Sequence, residues 1–147
     1  KEIHDDVRSA IKGLSTEALD WRFGKDANSI AVLIVHLIGA ERYWIGDVVL
    51  GQHSGRDRAS EFVVRDFNEA DLIERLAEIE DYIQKAIEPL CLEELEGKRI
   101  SPRNGREVSV GWALCHALTH TALHLGHIQI TRQMWDSSQL GDGKAKN

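Results

Sequence analysis

The sequence predicts an all-α protein built from four helices in a single domain over residues 1–147. Three observations lead there. Apolar residues recur at helical spacing in four separate stretches, Asn28, Asn68 and Ser109 stand where helix caps belong, and only two prolines occur in 147 residues to interrupt helices. A chain of this length can bury one sizeable core. Its end, from about residue 137 through GDGKAKN, is polar and glycine-containing and is expected to be a flexible tail.

The first helix is expected over Glu2–Leu14, where Ile3, Val7, Ala10, Ile11 and Leu14 share one face and Gly13 suits a C-cap. A linker, LSTEALDWRFGKDA, follows, with Trp21 and Phe23 expected over one end of the core. Asn28 is taken as the cap of a second helix that ends near Leu50, before Gly51. On that helix Ser29, Val32, Leu33, Gly39, Ala40, Tyr43 and Asp47 fall on the face of His36, and Gly39 and Ala40 leave room beside its ring. Glu41 falls well round from that face and is expected to cap, pair or face solvent.

The segment GQHSGRDRASEFVVRDF reads as a charged loop, and His53 in it has no evident partner. Asn68 caps a third helix to about Leu90, with a stripe of Leu72, Leu76, Ile79, Ile83, Ala86, Ile87 and Leu90. Its acidic opposite face, including Glu74, Glu78 and Glu80, is expected in solvent. Asn104 and Gly105 mark a turn between short β-compatible runs, predicting a short turn or hairpin between the third and fourth helices. Lys98, Arg99, Arg103 and Arg106 make this segment basic; a solvated loop is the reading preferred over a gatherer of anionic substrate. Ser109 caps the fourth helix.

Composition narrows the function. A net charge of −6 argues against a surface built to neutralise nucleic-acid phosphates or to lie on an anionic membrane. No stretch reaches the roughly 18 consecutive apolar residues of a membrane span. Cys91 and Cys115 cannot form a disulfide framework, and no signal-peptide pattern begins at Lys1, so a reducing cytoplasm is expected. Cys115 reads as a small buried hydrophobe.

The last helix carries the chemistry. Four of the seven histidines, His116, His120, His124 and His127, lie within twelve residues of a stretch free of charge from Val108 to Thr131. At about 100° per residue they share one narrow face. A helix so poor in charge is expected to be buried on most of its surface, where imidazoles need hydrogen bonds or a metal. His120 and His124, one turn apart, can converge on one ion. Thr121 after His120 removes the glutamate of a zincin HExxH motif. The third ligand must come from another element, and His36 is the one histidine on the inward face of another long helix. Three imidazoles leave coordination positions open, as catalytic sites require, and suit zinc, nickel or ferrous iron. A polar seam or an interface lined by histidines is the bland alternative. A haem held by two axial histidines is a weaker third.

The segments HLIGAERYW and HALTHTALHLGHIQITRQMW, together with the GLSTEALDW linker and the acidic third helix, resemble the DinB-like superfamily, including its YfiT-like branches, over nearly the whole chain. The resemblance implies a four-helix bundle, usually a homodimer, with a divalent metal on three histidines: His36, His120 and His124 here. Many relatives have glutamine where this chain has His127 after Gly126. The resemblance further implies thiol S-transferase or hydrolase-like chemistry on a small-molecule substrate, in which the metal activates a low-molecular-weight thiol cosubstrate or water. Tyr43 and His127 are the expected proton-handling or orienting neighbours, and His116 is left without a settled role. The rival expectation is a dimeric binding or stress-response protein merely stabilised by its metal.

Overall fold

In the computed structural model, which describes residues 1–142, the chain is mostly helical. The helices are α1 (Glu2–Ile11), α2 (Thr16–Asp20), α3 (Ile30–Glu41), α4 (Glu69–Ile87) and α5 (Val110–Asp142), and α3 continues through a π-helical segment, Arg42–Val49. Single 3₁₀ turns occupy Ser60–Phe62 and Leu92–Glu96. The expected hairpin forms as two antiparallel strands, β1 (Lys98–Ile100) and β2 (Glu107–Ser109), with Ile100 opposite Glu107. Gly105 in the connecting turn has φ 68°, the left-handed region in which a side chain is strained.

The caps decide where the helices begin. Asn68 accepts from Asp71 N while the Asp71 carboxylate accepts from Asn68 N, a reciprocal box that starts α4. Ser109 Oγ accepts from Trp112 N at the head of α5. The second cap differs from expectation: Ser29, not Asn28, has the extended backbone and accepts from Val32 N. A serine hydroxyl reaches the first turn as well as an asparagine amide does, so adjacent capping residues leave the start open by one position. The linker also contains a helix that its length concealed, α2, capped by Ser15.

The main core joins α1 through α5. Val7, Ile11, Leu19, Ile30, Ile34, Leu37, Leu72, Leu76 and Ile128 are fully buried or nearly so. A second cluster, Tyr43, Val48, Val49, Val108, Val110 and Ala113, fastens the hairpin to the π-helical segment and the start of α5. Trp21 packs edge-on against Trp135 at 5.8 Å, but Phe23 is exposed instead of covering the core.

Four further expectations are corrected. The charge-poor α5 is not buried on most of its surface: Leu118, Leu123, Ile130 and Met134 are exposed, because α1, α3 and the π-helical segment cover only one side of it. Cys115 is likewise exposed. Residues 137–142, expected as tail, continue α5, and the remainder of the tail, residues 143–147, lies outside the described residues. Glu80, expected in solvent, binds Arg8 Nη2 at 2.6 Å through a carboxylate turned toward α1.

A buried polar link ties three helices. His4 Nε2 lies 2.9 Å from Glu41 Oε1, and Thr121 Oγ1 donates to the same oxygen at 2.7 Å. Glu41 therefore pairs, one of its anticipated roles. Glu41→Ala leaves the buried His4 Nε2 without this partner, at a cost of about 1–3 kcal/mol, whereas Thr121 Oγ1 keeps its bond to Ala117 O at 3.0 Å, so urea unfolding should show a loss of about 1–3 kcal/mol. A loss under about 0.5 kcal/mol, the range of an ordinary surface change, would mean that the link contributes little to the fold.

Candidate metal centre

The structure brings His36 from α3 together with His120 and His124 from α5. One ring nitrogen of each lies within 4.8 Å of the others. The ring centroids of His36 stand 5.2 Å from His120 and 5.0 Å from His124, and those of His120 and His124 are 4.4 Å apart. His36 is buried; the other two are half-buried, which leaves the cluster open on one side.

The donor set fits a metal. His124 Nε2 and His120 Nε2 are 3.3 Å apart, and two nitrogens each about 2.05 Å from one tetrahedral ion stand about 3.3 Å apart. Burial, followed by the charges of His36, His116, Arg56 and Arg58, pushes His120 down to about 4. Burial, followed by His120, His36 and His127, does the same to His124. Both rings are therefore neutral near pH 7, the state in which imidazole ligates.

The sequence reading overlooked what orients His36. Its Nδ1–H donates to Glu61 Oε2 at 2.8 Å, leaving Nε2 for the cluster. Glu61 is itself gripped by Arg56, whose Nε donates to Oε1 at 2.5 Å and Nη2 to Oε2 at 2.8 Å. Burial alone would raise the Glu61 pKa, yet Arg56 and His36 together hold it below the usual carboxylate range. A histidine clamped by a carboxylate has its tautomer and ring plane fixed and is a more basic ligand. Gly39 was the available signal. The space it leaves beside His36 is occupied by this clamp, and a Cβ at Gly39 would collide with the Glu61 carboxylate.

The remaining neighbours form a small cavity of about 150 Å³ against His36 and His120, lined also by Tyr43, Trp44, Arg56, Arg58, Arg103 and His116. His116 stacks on Trp112 with ring centroids 4.7 Å apart and meets Trp44 edge-on at 4.6 Å. Burial, followed by the charge of Arg106, lowers its pKa. Trp44 falls on the His36 face because the wide i→i+5 turns of the π-helical segment advance less per residue than the α-helical count assumes. The Tyr43 hydroxyl lies 2.7 Å from Ser101 Oγ and accepts from Arg103 N at 3.2 Å. His127 lies outside this cavity, exposed, with Nδ1 3.4 Å from His124 Nδ1. His53 is exposed in the loop before Arg56 and does not join the cluster.

The neutral pair has a consequence for stability. Because His120 and His124 titrate near 4 in the fold and near 6.5 when unfolded, the unfolded chain binds more protons between those values. The stability of metal-free protein should thus be fully present above pH 6.5 and fall as pH drops toward 4, with a shallower fall in His120→Ala. Urea midpoints measured across that window test this, and parallel curves for the two proteins would refute it.

A helical protein with three convergent histidines and an open side is the class that fold and site together define. The chain belongs to the mycothiol S-transferase family, within the DinB-like proteins, whose family model matches residues 1–137. It is similar in fold to a DinB-like protein from Bacillus cereus ATCC 10987, with a TM-score of 0.71 and 10% identity over 90% of this chain and 85% of that one. No curated protein matches the chain at a significant level. Among the described residues no helix is long and apolar enough to cross a membrane.

Proposed function

We propose that this protein is a metal-dependent thiol S-transferase, in which His36, His120 and His124 hold a divalent ion and a low-molecular-weight thiol of the mycothiol class attacks a small electrophile. The observation that carries this reading is the convergence of three imidazoles, two of which border a cavity, in a chain of the mycothiol S-transferase family. A divalent ion held there supplies Lewis-acid chemistry, lowering the pKa of a bound thiol or water.

The other roles fall to the chain's own groups. Arg56 and Glu61 keep the His36 ring in place. Neutral His116, held between Trp112 and Trp44 at the cavity wall, is placed to accept the thiol proton as the S–C bond forms. That proton then passes to the leaving group, or to the adjacent carbon when the reaction is an addition. Tyr43 positions the hairpin over the cavity through Ser101 and the Arg103 amide, and His127 orients His124.

The same reading takes the helices as a four-helix bundle working as a cytoplasmic homodimer, with zinc, nickel or iron as the metal. The test is a panel of small thiols and electrophiles followed by chromatography of the conjugates. Turnover that disappears on chelation and returns with metal supports the transferase. No conjugate from any pair, with cobalt-loaded protein showing a saturated coordination shell, would instead favour a metal-stabilised binding protein.

A further inference from the structure

We propose that Arg58 and Arg103 form a recognition site for a carboxylate at the threshold of the histidine cavity, so that the small electrophile is an anion. This rests on the thiol-transfer reading only for the identity of the anion as the electrophile.

Two cavities meet at this point. The inner one, about 150 Å³, touches His36, His116 and His120. The outer one, about 400 Å³, is lined by Asp47, His53, Ser54 and Pro102 among others. Tyr43, Arg56, Arg58 and Arg103 line both and form the partition between them. At roughly 30 Å³ per water, the inner cavity holds about five water volumes, enough for a chain of a few carbons. A larger cosubstrate has to approach from the outer side.

The charges at the partition are not equivalent. Arg56 is neutralised by its fork onto Glu61. Among the described residues, Arg58 and Arg103 have no carboxylate partner. Arg58 is held with its guanidinium 4.8 Å from the Phe62 ring, which itself packs 4.9 Å from the His36 ring. Arg103 is fixed at its backbone by Tyr43 Oη. The acids nearby are engaged: Asp47 accepts from Ser54 N and Oγ, and Asp57 from Ala59 N and Ser60 N.

The other cations of the hairpin are committed elsewhere. Arg99 Nε donates to Val49 O, Arg106 stacks on Trp112, and Lys98 faces Glu107 at 3.7 Å. The basic turn, which reads as a solvated loop in sequence, thus contributes one arginine to the cavity and is joined there by another from a distant loop. In a chain of net charge −6, two unpaired guanidiniums beside a reactive cavity form a local exception that draws anions inward. Planar guanidinium donors match a carboxylate in both charge and geometry.

The test uses full-length, metal-free protein and calorimetric titration with succinate and its neutral counterpart, succinamide. Succinate should bind at least about tenfold more tightly, as expected for charge-assisted hydrogen bonds worth about 1.5–3 kcal/mol. The Arg58→Gln/Arg103→Gln protein should lose that preference, while Arg99→Gln keeps it. Equal binding of the two compounds, or a preference that survives the double substitution, overturns the proposal.

With metal-loaded protein, the double substitution should raise KM for fumaramate about tenfold or more while leaving KM for fumaramide and for the thiol unchanged. A rise in the thiol KM with both electrophiles would place the anion on the thiol and overturn the assignment. Succinate binding that is intact in a protein without any transferase activity would count against the S-transfer reading alone. Transfer with no preference for anions would count against this proposal alone.

Discussion

Protein carrying His120→Ala is expected to bind divalent metal at least about 100-fold more weakly than the parent, beyond the ~10–100-fold typical of losing a supporting partner. His36→Ala should behave likewise. His120 Nε2 lies 3.3 Å from His124 Nε2 and its ring 5.2 Å from His36, so its removal leaves two nitrogens that no longer enclose a position. His116→Ala should keep most of the metal. Its ring stacks on Trp112, with its centroid 6.2 Å from that of His120, and it does not belong to the converging set. Competition titration with a chromophoric chelator, on protein purified without an affinity tag, gives the affinities. Similar losses for His116→Ala and His120→Ala would mean that the ligand set is wrong.

Gly39→Ala is the second large effect, and it separates site from stability. Alanine is about 0.8–1 kcal/mol better than glycine inside a helix, so on propensity alone the variant should be slightly more stable. Its Cβ, however, would occupy the position of the Glu61 carboxylate, which Arg56 and His36 hold in place. The carboxylate is the far end of a side chain and can swing away, whereas the helix backbone cannot. The fold should therefore survive, with Glu61 displaced and His36 free to turn. Metal affinity should fall about 10–100-fold, with little change in the urea midpoint. In a Glu61→Ala background the same substitution should have almost no effect on affinity, since the collision partner is gone. An equal loss in both backgrounds would show that Gly39 acts through something other than Glu61.

These two experiments address parts of the site that differed in legibility. The histidine cluster could be read because a helix converts spacing into direction: His120 and His124 are one turn apart on a charge-poor helix, and His36 is the one comparable histidine on another. The clamp on His36 could not. Glu61 lies in a stretch without periodicity, 25 residues from its partner, and nothing local distinguishes its carboxylate from the other acidic groups around it. Similarly, His4 sits among charged residues at the chain start, and only the packing of α1 across α3 and α5 turns it inward onto Glu41.

The sequence by itself determined the helical class, the capping residues Asn68 and Ser109, the hairpin at Asn104–Gly105 and the shared face of His120 and His124. All of these depend on neighbours a few residues apart, where backbone geometry alone sets direction. The tertiary structure decided the rest: the Arg56–Glu61 hold on His36, the π-helical turns that keep Trp44 in the cavity, and the meeting of Arg58 with Arg103. The physical reason is that side chains brought together from loops owe their positions to packing and to unpaired charge, and neither quantity is periodic along the chain.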